Sequence, residues 1–293
     1  MADWTGVAGK RVVITGATNG IGLEAATALG AKGAKLTLVA RGQSKAKVAV
    51  DRIEAAGGRG VEVILGDLSR QSDVRRVAAE LLERCPRIDV LVNNAGAIFA
   101  TRQLTEDGVE MTWAVNHLAP FLLTSLLLDR LTASAPARIV TTASDAHRGA
   151  KGIPFDDMGS VGSYRARGFA RYGETKLANI LFTQELGRRL QGSGVTAYCF
   201  HPGFVATGFN RNNGALMNLG MTLARPFART PEKGAETLVW LCENPDVSAD
   251  NGGYFQDCRR IAATTAGQDA DAARRLWEVS ESQVGAQPRN WNA

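Results

Sequence analysis

The sequence predicts an α/β fold: a single Rossmann-type, doubly wound parallel sheet of about seven strands, with helices on both faces, in one domain spanning residues 1–293. Three observations carry this prediction. Short β-rich runs alternate with amphipathic helical stretches along nearly the whole chain, the pattern of repeated β–α units. Several runs are continuously apolar rather than alternating, as strands covered on both faces require. A glycine cluster separates the first run from the first helical stretch, where a dinucleotide-binding turn belongs.

In chain order, strands are expected at Arg11–Thr15, Lys35–Ala40, Val61–Leu65, Ile88–Val92, Arg138–Thr142, Val195–Phe200 and Tyr254–Phe255. Helical spacing marks Ile21–Lys32, Arg70–Arg84, Glu106–Leu131 and Tyr172–Leu190. Thr105 before Glu106 and Asp107 predicts a capped helix start. Thr230-Pro231 predicts another, for a helix reaching about Leu241. Two stretches break the rhythm after strand ends. Residues 145–171 form a Gly-, Arg- and Asp-rich insertion. Residues 204–229, with Met217, Leu219, Met221, Leu223 and Phe227, read as a lid over a lipophilic substrate, or as ordinary core. The tail after Ile261 is polar and expected at the periphery.

Composition excludes several classes. The chain is 45% hydrophobic and 22% charged, as in ordinary globular proteins. No run of 18 apolar residues predicts a membrane span, and no secretory signal opens the sequence, so a cytoplasmic location is the default expectation. Cys85, Cys199, Cys242 and Cys258 are scattered without a CxxC pair, which suits reduced thiols and no metal site. The net charge of +5 is dispersed, so nucleic acid is not an expected partner; a small-molecule substrate is.

The cofactor end is readable at four strand ends. Thr15-Gly16-Ala17-Thr18-Asn19-Gly20-Ile21-Gly22 leads into a helix whose amides would face a pyrophosphate, with Gly16, Thr18, Asn19, Gly20, Ile21 and Gly22 as the contact set. Strand two ends in Ala40-Arg41, with no acid to meet a ribose hydroxyl. Arg41 either pairs with a 2′-phosphate or is a solvated surface arginine; without the acid, NADP(H) is favoured over NAD(H). Asp67 and Leu68 follow strand three and would meet the adenine. Asn93-Asn94-Ala95-Gly96 follows strand four, either as a nucleotide contact through Asn93, Ala95 and Gly96 or as a simple turn.

At the reaction end, Tyr172 and Lys176 are four residues apart and share a helix face. A nearby ammonium stabilises a phenolate and so lowers the tyrosine pKa, suiting it to general acid–base work. Ser144 ends strand five, where its hydroxyl can bond a substrate carbonyl. Asn116 lies mid-helix, where asparagine has no helical advantage, and can hold a water on a proton path to Lys176. His201-Pro202-Gly203 ends strand six and turns the chain across a nicotinamide. His147 and His201 read as structural or as part of the substrate rim, and Trp113 as core.

These motifs, in this order, resemble the short-chain dehydrogenase/reductase family over residues 9 to 258. Ser144-Asp145-Ala146-His147, Lys176-Leu177-Ala178-Asn179 and Leu181–Leu186 resemble its retinol dehydrogenase-like and protochlorophyllide reductase-like branch. The 28-residue separation of Ser144 and Tyr172 also matches that branch's insertion. The resemblance implies that Asn116, Ser144, Tyr172 and Lys176 are catalytic. It further implies that Tyr172, Lys176, Pro202, Gly203, Val205 and Thr207 contact the nicotinamide half of the cofactor. It implies dimers or tetramers through the helices after strands four and five, where Leu122, Leu123, Leu126 and Leu127 serve either an interface or the sheet. The expected activity is NADP(H)-dependent hydride transfer between nicotinamide and the carbonyl or alcohol of a lipophilic substrate. Alternatives are a non-catalytic NADP(H) sensor and a reductase of carbon–carbon double bonds.

Overall fold

Eight strands form one sheet in the order β3-β2-β1-β4-β5-β6-β7-β8 in a computed structural model describing residues 4–162, 164–205 and 228–285. They are β1 Arg11–Thr15, β2 Lys35–Ala40, β3 Glu62–Leu65, β4 Val90–Asn93, β5 Ala137–Thr142, β6 Val195–Phe200, β7 Gly253–Gln256 and β8 Arg259–Ile261. β1 to β7 pair in parallel, and β8 pairs antiparallel with β7. The order reverses between β1 and β4, which opens a crevice at the carboxyl ends of the strands, where open α/β sheets bind ligands. β8 adds an eighth strand to the expected seven. Its sequence, Arg-Arg-Ile, has too little apolar character to signal a strand, and Tyr254 to Gln256 hold it by main-chain pairing.

Among the described residues the principal helices are α1 Gly20–Ala31, α2 Gln43–Ala55, α3 Gln71–Arg84, α4 Met111–Ala133, α5 Phe169–Arg189, α6 Pro231–Glu243 and α7 Ala270–Gln283. The central strands are nearly all buried, as their continuous apolar runs predict. One core cluster lies between the sheet and α3, α4, α5 and α7; a second lies on the side of α1 and α6. Thr230 caps α6 by accepting from the Lys233 amide, as expected.

Two expectations are corrected. Residues 105–109 form a turn, with the Thr105 amide bonded to the Val109 carbonyl and Gly108 at φ 73. The helix therefore starts after Glu110, whose carboxylate accepts from the amides of Thr112 and Trp113. Nor is the tail peripheral: α7 buries Leu276 and Trp277, with Trp277 5.0 Å from Phe121 and 5.8 Å from Phe182 between ring centroids. Apolar residues spaced three and four apart on a polar helix are a weak signal, and the partner face comes from distant parts of the chain. Leu122, Leu123 and Leu127 belong to the same core, and Leu126 packs partly buried against it. Although α4 is long and apolar enough to cross a membrane, 78% of its apolar window is buried inside the protein.

Of the expected lid, only residues 204, 205, 228 and 229 are described; residues 206–227, including Thr207, lie outside the described set.

Candidate active site

The glycine loop after β1 is a tight nest. Gly16 has φ 70, and a Cβ there would sit 2.8 Å from Ala95 Cα. A Cβ on Gly22 would sit 2.5 Å from the Gly16 carbonyl and 2.4 Å from Asn94 Nδ2. Neither position accommodates a side chain, so the main chain is left bare at the start of α1. Gly20 has φ 54, and Asn19 caps it by accepting its amide. No acid occupies the first turn of α1, so nothing on that turn opposes an anion. Thr18 and Ile21 are part-buried beside the loop.

Thr15 Oγ1 accepts from the amides of Asn94 and Ala95 at 3.0 Å each. Asn94 returns its side-chain amide to the carbonyls of Thr15 and Gly16, at 3.1 and 3.2 Å. These bonds lock the loop to the end of β4. The side chain of Asn93, by contrast, is buried and donates to Thr124 on α4. Asn94, which motif spacing did not single out, is the residue that holds the loop. Asn93, the last residue of β4, turns to α4, whereas Asn94, just past the strand, turns to the loop.

At the end of β2, Arg41 is exposed and makes no ion pair with any described residue. Asp67 accepts from the Ser69 amide and hydroxyl, which orients its carboxylate after β3; Leu68 packs against the core behind it. Pro202 and Gly203 leave β6, and the chain bridges back from Val205 to Arg229. Gly203, at φ 84, faces the Arg229 side chain, and Val205 packs over Gly234 beside Ile21. A dinucleotide fits this layout: bare amides for a pyrophosphate, a cation with no ion pair among the described residues at the ribose end, and Gly96 facing Asn116 and Lys176.

Two of the candidate catalytic groups, Asn116 and Lys176, meet at Gly96. A Cβ on Gly96 would be 3.3 Å from Asn116 Oδ1 and 3.6 Å from Lys176 Nζ. Asn116 lies on a π-helical turn, 114–118, inside α4; such widened turns are common at functional sites. Its amide donates to the Ala97 carbonyl and Thr175 Oγ1, and its Oδ1 accepts from the Ala97 amide. Lys176 is buried, with Nζ donating to the Thr142 carbonyl at 2.9 Å. Ser144 accepts from the Ala146 amide and is the hydrogen-bonding neighbour of the Tyr172 hydroxyl. Gly173 makes that approach possible, since a Cβ there would lie 2.7 Å from the Ala146 carbonyl. Residue spacing gave no hint of this contact.

The electrostatics depart from one expectation. Burial pushes the Tyr172 phenol up to about 12, opposed by its bond with Ser144. Burial also pulls the Lys176 ammonium down to about 8. Lys176 Nζ lies 5.4 Å from the centroid of the Tyr172 ring and is hydrogen-bonded elsewhere, so desolvation outweighs the expected lowering of the phenol pKa.

The two histidines brace the Ser144 turn. His201 Nδ1 accepts from the Asp145 amide at 3.0 Å, and His147 Nδ1 lies 2.8 Å from the Ser144 carbonyl. His147 Nε2 accepts from the Thr264 amide at 3.4 Å. The cysteines are free thiols, three of them buried, and the described residues contain no cluster suited to a metal ion.

Comparison with known proteins gives the family. Residues 10–155 match the short chain dehydrogenase family model. Mouse retinol dehydrogenase 14 is 40% identical, with alignment covering 94% of this chain and 86% of that one. Human retinol dehydrogenase 12 is 41% identical, over 94% and 87%. A solved structure of an uncharacterized Mycobacterium paratuberculosis protein superposes with TM-score 0.77 at 31% identity, covering 98% of both chains. A Burkholderia cenocepacia J2315 short chain dehydrogenase in complex with NADP gives 0.67 at 28% identity, over 85% and 96%. The chain therefore belongs to the short-chain dehydrogenase family, on its retinol dehydrogenase-like branch.

Proposed function

We propose that this chain is an NADP(H)-dependent oxidoreductase that interconverts a carbonyl and an alcohol on a lipophilic substrate, running as a reductase near neutral pH. The observation that carries the reading is the pairing of Ser144 and Tyr172, with Lys176 one helical turn beyond Tyr172 and, like Asn116, facing Gly96. The cofactor would supply the hydride. Ser144 and Tyr172 would both donate to the substrate oxygen, and Tyr172 would pass it a proton as the alcohol forms. A phenol held protonated to about 12 is the acid that reduction needs and a poor base for oxidation. Lys176 would hold the nicotinamide ribose and, as a cation, steady the phenolate left behind.

Arg41 supports the 2′-phosphate, because its guanidinium has no acid to neutralise it among the described residues. The lipophilic character rests on exposed Phe204 and Phe169 and on the apolar composition of residues 204–229. Relatives named for retinol, an apolar alcohol, point the same way. Tyr172→Phe tests the reading: NADPH binding by titration should persist while turnover of aldehydes and ketones disappears. Turnover near the wild-type rate would reject it.

A further inference from the structure

Three polar side chains that this chemistry does not use lie directly behind Lys176. His117 follows Asn116 on the π turn, Asn179 is three residues beyond Lys176 on α5, and Ser280 is on α7; all are buried. Lys176 Nζ and Asn179 Nδ2 converge on one acceptor, the Thr142 carbonyl, at 2.9 and 3.2 Å. At the other end His117 Nε2 lies 2.8 Å from Ser280 Oγ. Between them, His117 Nδ1 and Asn179 Oδ1 are buried with no other partner, and Asn179 is the hydrogen-bonding side chain beside the imidazole.

The proton positions follow from what each group can do. A carbonyl only accepts, so Asn179 must turn its NH2 group to Thr142 and its Oδ1 to the ring. Oδ1 needs a donor, which puts the imidazole proton on Nδ1. Nε2 is then an acceptor, and the Ser280 hydroxyl must donate to it. That hydroxyl also lies 2.7 Å from the Leu276 carbonyl; when its single proton turns to Nε2, that carbonyl keeps its helix-ladder donor and is not left unpaired. A doubly protonated ring is excluded by its surroundings. Trp113, Phe121 and Phe182 enclose it, Arg171 adds a like charge, and burial pulls its pKa down to about 3.

We infer that His117, neutral and protonated on Nδ1, is a positioning residue: with Asn179 it carries an ordered hydrogen-bond chain from Ser280 on the C-terminal helix to the carbonyl that holds Lys176. The Thr142 carbonyl is the one hydrogen-bond acceptor that Lys176 has among the described residues. Its direction therefore sets where the ammonium points. A second donor from Asn179 keeps that carbonyl from swinging, and His117 keeps Asn179 from flipping. The tertiary seat of α7 thus reaches the reacting groups without touching them.

The kinetic part rests on the proposed role of Lys176; the tautomer does not, so the two are tested separately. In the full-length, 15N-histidine-labelled protein, long-range proton–nitrogen NMR should show His117, identified by its loss in His117→Asn, with Nδ1 protonated and Nε2 bare. The opposite tautomer, or an imidazolium at neutral pH, overturns the inference. His117→Asn can still donate to Asn179 from near the Nδ1 position and should keep kcat within about threefold. His117→Gln places its amide toward Ser280, leaves Asn179 Oδ1 unpaired, and should lower kcat about tenfold or more at unchanged substrate KM. Equal kcat values in the two variants also overturn it. If Tyr172→Phe stays active, the proposed function fails while the NMR result still decides the tautomer.

Discussion

Arg171 and Glu110 form an ion pair at 2.9 Å in which neither side chain reaches solvent. Arg171 immediately precedes Tyr172, and Glu110 caps the helix that carries Asn116. The guanidinium also reaches Glu174 at 3.0 Å and the Met158 carbonyl in the 145–171 insertion, and lies 4.6 Å over the Trp113 ring. One side chain therefore ties together the insertion and both helices that bear candidate catalytic groups.

Arg171→Met leaves Glu110 buried without its cation. Removing one partner of a buried pair costs about 3–5 kcal/mol, and chemical denaturation should show a loss of that order. Glu110→Gln keeps the cap acceptor and should cost less. Equal stability of Arg171→Met and wild type would mean that solvent reaches the pair.

Cofactor choice is expected to turn on Arg41. Arg41→Ala should weaken NADPH binding about tenfold or more, roughly 1.4 kcal/mol, and leave NADH nearly unchanged. Titration of both cofactors against both proteins measures this. Equal weakening for both would place Arg41 away from the 2′-phosphate.

The pH dependence of the two directions should be opposite. Reduction uses a protonated Tyr172, available up to about 12, and a charged Lys176, available below about 8. Its rate should be level from neutral pH to about 8 and fall above. Oxidation needs the phenolate and should climb as pH rises. Rate profiles under saturating cofactor in each direction check this; parallel profiles would contradict the assigned acid.

All three histidines should make the fold acid-sensitive. Burial holds His117 down to about 3 and His201 to about 4, and lowers His147 as well. The unfolded chain binds their protons near the ordinary 6.5, so between that pH and the folded values it binds more protons than the native state. Their contribution is whole above about 6.5 and is lost as pH falls. Melting temperature should drop between pH 6.5 and 5, and His201→Asn, which can still accept from Asp145, should flatten the drop. A melting temperature constant over that range would contradict the buried, neutral histidines.

Trp277→Ala should cost about 3–5 kcal/mol, because its ring stacks on Phe182 and meets Phe121 edge-on within the core. An unchanged unfolding midpoint would show that α7 is only loosely attached.

By itself the sequence determined whatever depends on local period and local spacing. Apolar runs such as Leu38–Ala40 and Val90–Val92 declare buried parallel strands, and glycines at 16, 20 and 22 declare a bare turn between strand and helix. Tyr172 and Lys176 share a face because four residues make a helical turn. These properties belong to neighbours along the chain.

Tertiary structure decided what depends on residues far apart meeting. Only folding shows that Asn94 rather than Asn93 grips the glycine loop, since Asn93 ends β4 facing α4 while Asn94, just past it, meets Thr15 and Gly16. Only folding brings Gly173 against Ala146, which sets Ser144 beside Tyr172. Trp277 had no local sign of its partners, 95 and 156 residues earlier, and β8 exists because β7 offers it an edge. The Tyr172 and Lys176 pKa values follow the same rule: spacing predicted their attraction, but burial, a property of the whole packed chain, outweighs it.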